Sequence, residues 1–286
     1  MMDSPPQQRE SSAPHRVGSD VFLYLSIAVV GGTYVLLLLG MLVADVVYLA
    51  RSPAPDGGWP VLGHLVAALA DPKIQYSIKL TLVSCLFTAI LSVMVAVPIG
   101  YALSRFQFPG RSLLDAVLDI PIVLPPLVVG LSLLMLFQLP GIDRAGKFFI
   151  YQTPGVVLAQ FMVAAAFAVR IMRAAFDQID TRLENVAMTL GCSRAQAFGR
   201  VVLPQARQGM LTAGTMAWAR ALGEFGPLLI FVGTTRMKTE VLSTTVYLEQ
   251  SVANIQGAVA VSLIMVVAAV AVLVVARVWG SRSLTL

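Results

Sequence analysis

Arg220 and Glu224 are the two charged residues in an otherwise apolar stretch, 208–235. Arg220 stands about 12 residues in from one edge, or roughly 18 Å along a helix. That is near the mid-depth of a bilayer, where a charge costs at least about 2.5–3.5 kcal/mol on insertion scales and must be paired or face a wet cavity. A spacing of four puts Glu224 on the same helical face as Arg220, within pairing reach. Gly223 and Gly226 allow another helix to approach closely, and Pro227 removes a backbone N–H and bends or breaks the helix. Two readings fit this set. The pair is a structural lock on helix packing or a dimer seam, or it belongs to a gate in which Arg220 lends positive potential to an anion path. A net-neutral pair attracts anions weakly, so the second reading stays modest.

A second constellation, at 181–204, suits docking rather than bond chemistry. Thr181-Arg182-Leu183-Glu184 has the capping-box spacing, with Thr181 expected to cap and Glu184 to reach back to the Thr181 N–H. Leu183, Val186, Ala187 and Leu190 follow at helical spacing and predict one apolar face. Gly191 ends the turn. Ser193-Arg194-Ala195-Gln196 opens a second helix carrying Ala197, Phe198, Val201 and Val202, and Leu203-Pro204 closes it. A loop of this kind is either a plain connector lying on lipid headgroups or a surface built to fill a partner's groove.

Catalytic chemistry finds little support. The sequence has no G-x4-G-K-[ST] to cradle ATP phosphates, no H-E-x-x-H and no Asp-rich magnesium motif. His15 and His64 stand alone, so no metal site is expected. Cys85 and Cys192 differ in depth and lack metal spacing, so both are expected as free thiols. An integral membrane enzyme would need a polar cluster that is missing here.

Helices that cross a bilayer must position these groups. Of the 286 residues, 57% are hydrophobic and only 12% are charged, about half the charge of a soluble domain. Uncharged runs cover 21–44, 80–104, 120–142, 148–169 and 250–276. Each exceeds the roughly 20 residues that span the hydrocarbon core. With 208–235 they predict an all-α polytopic membrane protein of six spans, near 22–49, 78–104, 112–137, 153–176, 208–233 and 250–277. A secreted globule, a β-barrel and a DNA-binding protein are excluded by this pattern. The run 61–70 is too short to span and suits an interfacial helix. The expected organisation is a disordered tail at 1–20, a first span and loop at 21–77, a transmembrane core at 78–280 with a polar loop at 177–207, and a short tail at 281–286.

Alternating six spans places both termini on one side. That side holds 12 Lys or Arg residues against 7 on the other, with Arg220 inside a span. The excess predicts that the termini and the 177–207 loop are cytoplasmic. The formal charge of +5 is explained by these loops; no loop joins a basic run to aromatics, so nucleic acid is not an expected partner.

Four segments carry a family resemblance. Glu184-Asn185-Val186-Ala187-Met188-Thr189-Leu190-Gly191, nine residues, then Val201-Val202-Leu203-Pro204 resembles the EAA loop of ABC importer permeases, with Val186 where alanine and Val201 where isoleucine is usual. Gln208-Gly209 stands in place of the common Pro-Gly. Ala219-Arg220-Ala221-Leu222-Gly223-Glu224-Phe225-Gly226 is similar to the A-R-A-x-G-E-F/Y-G segment of molybdate, tungstate and sulfate permeases. Pro121-Ile122-Val123-Leu124-Pro125-Pro126-Leu127-Val128-Val129-Gly130 looks like the P-x-x-L-P-P-x-V-x-G stretch of that subfamily, and 239–248 resembles its segment before the last helix. The resemblance covers about 75–277.

The resemblance implies the permease subunit of a type I ABC importer in a prokaryotic cytoplasmic (inner) membrane, with no enzyme activity of its own. Implied partners are a second permease copy or paralogue, a cytoplasmic ABC ATPase dimer holding ATP-Mg, an extracytoplasmic substrate-binding protein and membrane lipid. No cofactor is implied on this chain. Thr181, Leu183, Glu184, Val186, Ala187, Leu190, Gly191, Leu203 and Pro204 would form the ATPase-coupling loop. Pro125, Gly130, Thr215, Arg220 and Glu224 are the candidates for pathway or gate. The expected cargo is a small oxyanion such as molybdate, tungstate or sulfate. Alternatives are an ABC permease for thiamine, ferric iron or a polyamine, and an autonomous secondary transporter.

Overall fold

Long uncharged runs fold as helices because an apolar medium offers backbone N–H and C=O groups no partner outside the chain. The computed structural model describes residues 21–53 and 58–282, and every regular element among them is helical. The expected tail at 1–20 lies outside the described residues, as do 283–286.

The helices in chain order are α1 (Val21–Arg51), α2 (Pro60–Ala70), α3 (Pro72–Arg105), α4 (Arg111–Val123), α5 (Pro126–Leu136), α6 (Asp143–Phe149), α7 (Thr153–Asp177), α8 (Thr181–Thr189), α9 (Arg194–Ala197), α10 (Leu203–Gln205), α11 (Arg207–Leu222), α12 (Leu242–Ser251) and α13 (Ile255–Arg282). Residues to Val47 form one compact unit and those from Tyr48 a second. In the first, α1 is apolar all round and long enough to cross a membrane. Among the described residues, four continuous helices meet that condition: α1, α3, α7 and α13.

The other two expected spans are broken, each at prolines. The segment expected as one helix over 112–137 divides into α4 and α5, which meet at 112°. Pro125 and Pro126 have no N–H to continue a ladder, and a residue before proline is pushed out of the α region. Leu124 and Pro125 are accordingly extended, with ψ of 141° and 134°. The segment expected over 208–233 is helical only to Leu222 and resumes as a π-helical turn at Leu228–Val232. Pro227 lies four residues beyond Gly223 and cannot bond back to it. The loops expected at 138–152 and up to 250 contain α6 and α12.

In the second unit, α3, α7 and α11 form the centre, with α3 lying along most of α7. One face of α3 carries Ser77, Thr81, Ser84, Thr88 and Ser92, all buried. Small hydroxyl residues at helical spacing permit close approach and bond the preceding turn. Ser77 and Thr81 donate to carbonyls four residues back, and Thr81 Oγ1 also accepts the Leu242 N–H at 2.9 Å. Gly209 of α11 lies so close to α7 that a Cβ there would come within 2.4 Å of Ala175 Cβ.

Candidate functional site

The 177–207 loop is tied to the end of the bundle from which it emerges. Its first helix, α8, is capped by Asp180, whose carboxylate accepts the Arg182 N–H at 2.9 Å. This corrects the expected Thr181–Glu184 capping box. Thr181 is the first helical residue, and Asp180, an equally strong cap, leaves Glu184 free to turn inward. Glu184 is 6% exposed. The Tyr101 hydroxyl donates to its carboxylate, and Arg105 Nε lies 3.5 Å from its second oxygen. Arg105 Nη2 also donates to the Ile179 carbonyl at 2.7 Å.

The expected single apolar face of α8 divides in two. Ala187 is 8% exposed and faces inward with Glu184, whereas Leu183, Val186 and Leu190 are 44, 56 and 81% exposed. The reason is helical phase: 183, 186 and 190 share one strip of the helix, and 184 and 187 centre on the neighbouring strip, about a quarter turn round. Gly191 has φ +93°. The Cys192 N–H bonds Ala187 O and the Gly191 N–H bonds Met188 O, a Schellman ending that favours glycine. The second capping box is as expected, with Ser193 and Gln196 bonded reciprocally. The helix that follows passes through a π turn at Phe198–Val202, in which the Leu203 N–H reaches back to Phe198 O. Pro204 cannot donate to Arg200, and the wider turn absorbs that loss. Leu203 is half-buried and Pro204 exposed.

Aromatic packing completes the seat. The Tyr101 ring lies 5.8, 5.6 and 4.5 Å from the rings of Phe106, Phe176 and Phe198, and the Arg194 guanidinium sits 5.3 Å from the Phe106 ring. Asp115 and Asp119 of α4 pair with α7. Arg173 contacts Asp115 at 2.6 Å, and Arg170 holds Asp119 through two N–H groups.

The second candidate region is a crossing of the two broken segments. A Cβ on Gly130 would fall 2.6 Å from Pro227 Cα, and one on Gly226 would fall 2.9 Å from Leu127 N and Pro126 Cβ. Backbone therefore lies against backbone. Arg220 Nη1 is 2.7 Å from Glu224 Oε2, with the Arg220 guanidinium 5.7 Å from the Phe167 ring. Glu224 is 1% exposed while the Arg220 side chain is 31% exposed. Gln160 Nε2 donates to Ala221 O at 3.2 Å, one residue before α11 ends, and Gln160 Oε1 accepts from the Thr88 hydroxyl. Ser243 Oγ donates to Glu224 O at 2.7 Å. Gly130 thus meets Pro227 at this crossing, Pro125 immediately precedes the Pro126 that Gly226 approaches, and Glu224 lies two residues before Gly226. Thr215 is half-buried farther down α11, where its hydroxyl donates to its own helix at Leu211 O.

At the opposite end of the bundle, Arg236 bridges two acids, Glu240 at 3.1 Å and Glu249 at 2.8 Å. Asn254 donates to Glu249 at 2.7 Å. Burial pushes the Glu240 carboxyl above the usual carboxylate range, against the pull of Thr245 and Arg236. Tyr76 and Thr153 both donate to the Lys238 carbonyl, joining the starts of α3 and α7 to this segment. Sequence reasoning missed Tyr101, Arg105, Gln160 as a tether, and the Arg236 cluster. Tyr101 and Glu184 lie 83 positions apart, and no local spacing announces them.

These two regions offer an exposed apolar row on a short helix and a tight backbone crossing. The protein family described as binding-protein-dependent transport system inner membrane component matches residues 92–283. The chain belongs to this family. The permease is 36% identical over 211 residues to the molybdate/tungstate transport system permease protein of Thermococcus kodakarensis, covering 74% of this chain and 78% of the relative. It is 30% identical over 210 residues to the sulfate transport system permease protein of Escherichia coli strain K12, covering 72% and 76%. A chain in the crystal structure of a bacterial alginate ABC transporter, in complex with an alginate pentasaccharide-bound periplasmic protein, matches its fold with a TM-score of 0.74. That match is 17% identical and covers 92% of this chain and 95% of the other. The permease is a multi-pass inner-membrane protein with the all-α fold of type I ABC importer permeases.

Proposed function

We propose that this permease carries a small tetrahedral oxyanion, molybdate, tungstate or sulfate, across the cytoplasmic membrane as one of two permease subunits. A separate cytoplasmic ATPase dimer drives it, and an extracytoplasmic binding protein selects and delivers the anion. The 36% identity to a molybdate/tungstate permease carries the cargo class.

The exposed row of Leu183, Val186 and Leu190 supports a docked motor. Three apolar side chains on one short helix fill a groove well, and charges around them form a rim. Both termini and the 177–207 loop lie in the cytoplasm on this reading, as the basic-residue excess favours. ATP-Mg binds the partner, and this chain supplies path and lever. Closure of the ATPases moves α8, the bundle rocks, and the crossing of Gly130 with 226–227 changes between closed and open. Arg220, half-exposed beside a buried carboxylate, orients the passing anion weakly; binding-protein choice sets most of the selectivity.

The test is uptake of labelled molybdate, tungstate and sulfate into vesicles holding the permease, its cognate ATPase and the binding protein. ATP-dependent uptake that needs both partners is expected. Gradient-driven uptake by the chain alone, or ATP-dependent uptake of thiamine, ferric iron or a polyamine in place of the oxyanions, would overturn the reading.

A further inference from the structure

The loop is covalently continuous only with α7 and α11, so a push on α8 reaches these two helices through the chain. Noncovalent contacts add a third. Every residue from Tyr101 to Arg105 that touches the loop region lies in the last turn and a half of α3. Tyr101 donates to Glu184, Ser104 donates to Asp177 at 2.6 Å, and Arg105 engages both Glu184 and Ile179 O. A glutamate that only capped its helix would sit in solvent. Glu184 is buried instead, which is tolerated because its charge is paired and bonded. It also lies on the strip neighbouring that of Leu183, Val186 and Leu190, about a quarter turn round. One short helix therefore shows an apolar row outward and an anionic anchor inward, and rotation of α8 would tear the anchor from its partners.

We propose that Tyr101 and Arg105 are positioning residues that seat α8 on α3, making α3 the lever between the outward row of α8 and the crossing at Gly130 and Pro227. This rests on the transport reading above. The far half of the lever is also tethered. Thr88 of α3 bonds Gln160 of α7, and Gln160 bonds Ala221 O at the point where α11 breaks. Displacement of α3 thus reaches the break through two hydrogen bonds, besides the packing of α3 on α7. Gly100 is pressed against Met172 and Arg173 so closely that a Cβ would lie 2.9 Å from either. Rods in such contact move together rather than slide, because close-packed interiors transmit strain.

The experiment uses the permease assembled with its ATPase and binding protein in vesicles, supplied with labelled molybdate, or with whichever of the three anions the wild type takes up. Tyr101→Phe removes one hydroxyl, and Glu184→Gln removes one charge; neither changes side-chain bulk appreciably. Three quantities are read: ATPase retained per permease, ATP hydrolysis, and anion taken up per ATP hydrolysed. Retention should stay at the wild-type level in Tyr101→Phe, and uptake per ATP should fall at least threefold in each variant. Arg105→Lys, which keeps the charge, should retain more uptake per ATP than Arg105→Met.

Wild-type uptake per ATP in Tyr101→Phe overturns the proposal, and that variant decides alone where Glu184→Gln does not assemble. Loss of ATPase retention in Tyr101→Phe overturns it as well, because the hydroxyl would then be shaping the dock and not the lever. A wild-type permease that never retains the ATPase sinks the transport reading instead.

Discussion

Arg220 and Glu224 show how one residue pair behaves at depth. Glu224 is buried behind Arg220, and its backbone carbonyl is held by Ser243. Removing one member of a buried pair leaves the other charge uncompensated, whereas replacing both is often neutral. Arg220→Met is therefore expected to cost about 3 kcal/mol of stability, and Arg220→Met combined with Glu224→Met should recover most of it. Thermal melts in detergent check this. If the double variant melts normally yet loses anion uptake, the pair works in the pathway; if uptake also survives, it is a packing lock. Glu240 provides a second test at this scale. Burial raises its folded carboxyl above the unfolded value, about 4.3. The folded state favours its protonated form, so that contribution to stability is full at acid pH and is lost as pH rises through the raised value. Compared with Glu240→Gln, the wild type should lose melting temperature as pH climbs from about 4. Parallel curves for the two proteins would refute this.

Helix ends and breaks, more than helix interiors, distinguish this chain. On α8 the outward row is exposed, so Val186→Asp should leave the melting temperature unchanged while abolishing ATPase retention. Copurification from detergent measures both halves of that statement. Gly191 sits at φ +93°, where a residue with a Cβ costs roughly 1–2 kcal/mol. Gly191→Leu should weaken the turn by that amount and reduce retention through misdirection of α8. At the crossing, Gly130→Ala places a methyl 2.6 Å from Pro227 Cα, and the neighbour there is backbone that cannot swing aside. Overpacking of this kind costs about 1–3 kcal/mol. A lower melting temperature with reduced uptake is expected, and unchanged values for both would show that the two breaks separate freely.

For the molecule as a whole, the prediction is sided and partnered. Labels on either terminus should be reached only from the cytoplasmic face, and uptake should require both ATPase and binding protein. Much of this design was legible in the chain. Runs of 22 or more uncharged residues leave helices as the structures that satisfy their backbone in lipid, so the class follows from local composition alone. The Ser193 box and the Gly191 turn were equally legible, because a cap or a positive φ is decided within four residues. Prolines at 125, 126 and 227 announced strain but not its outcome; a 112° bend at one place and a π turn at the other depend on what packs alongside. The direction of Glu184 was beyond local rules altogether. Two caps competed for one helix end, and the choice of Asp180 became favourable only because Tyr101 and Arg105, some 80 positions earlier, waited to receive the freed carboxylate. Backbone chemistry and solvent settled which segments are helical; where each buried charge points was settled by partners that only folding brings within reach.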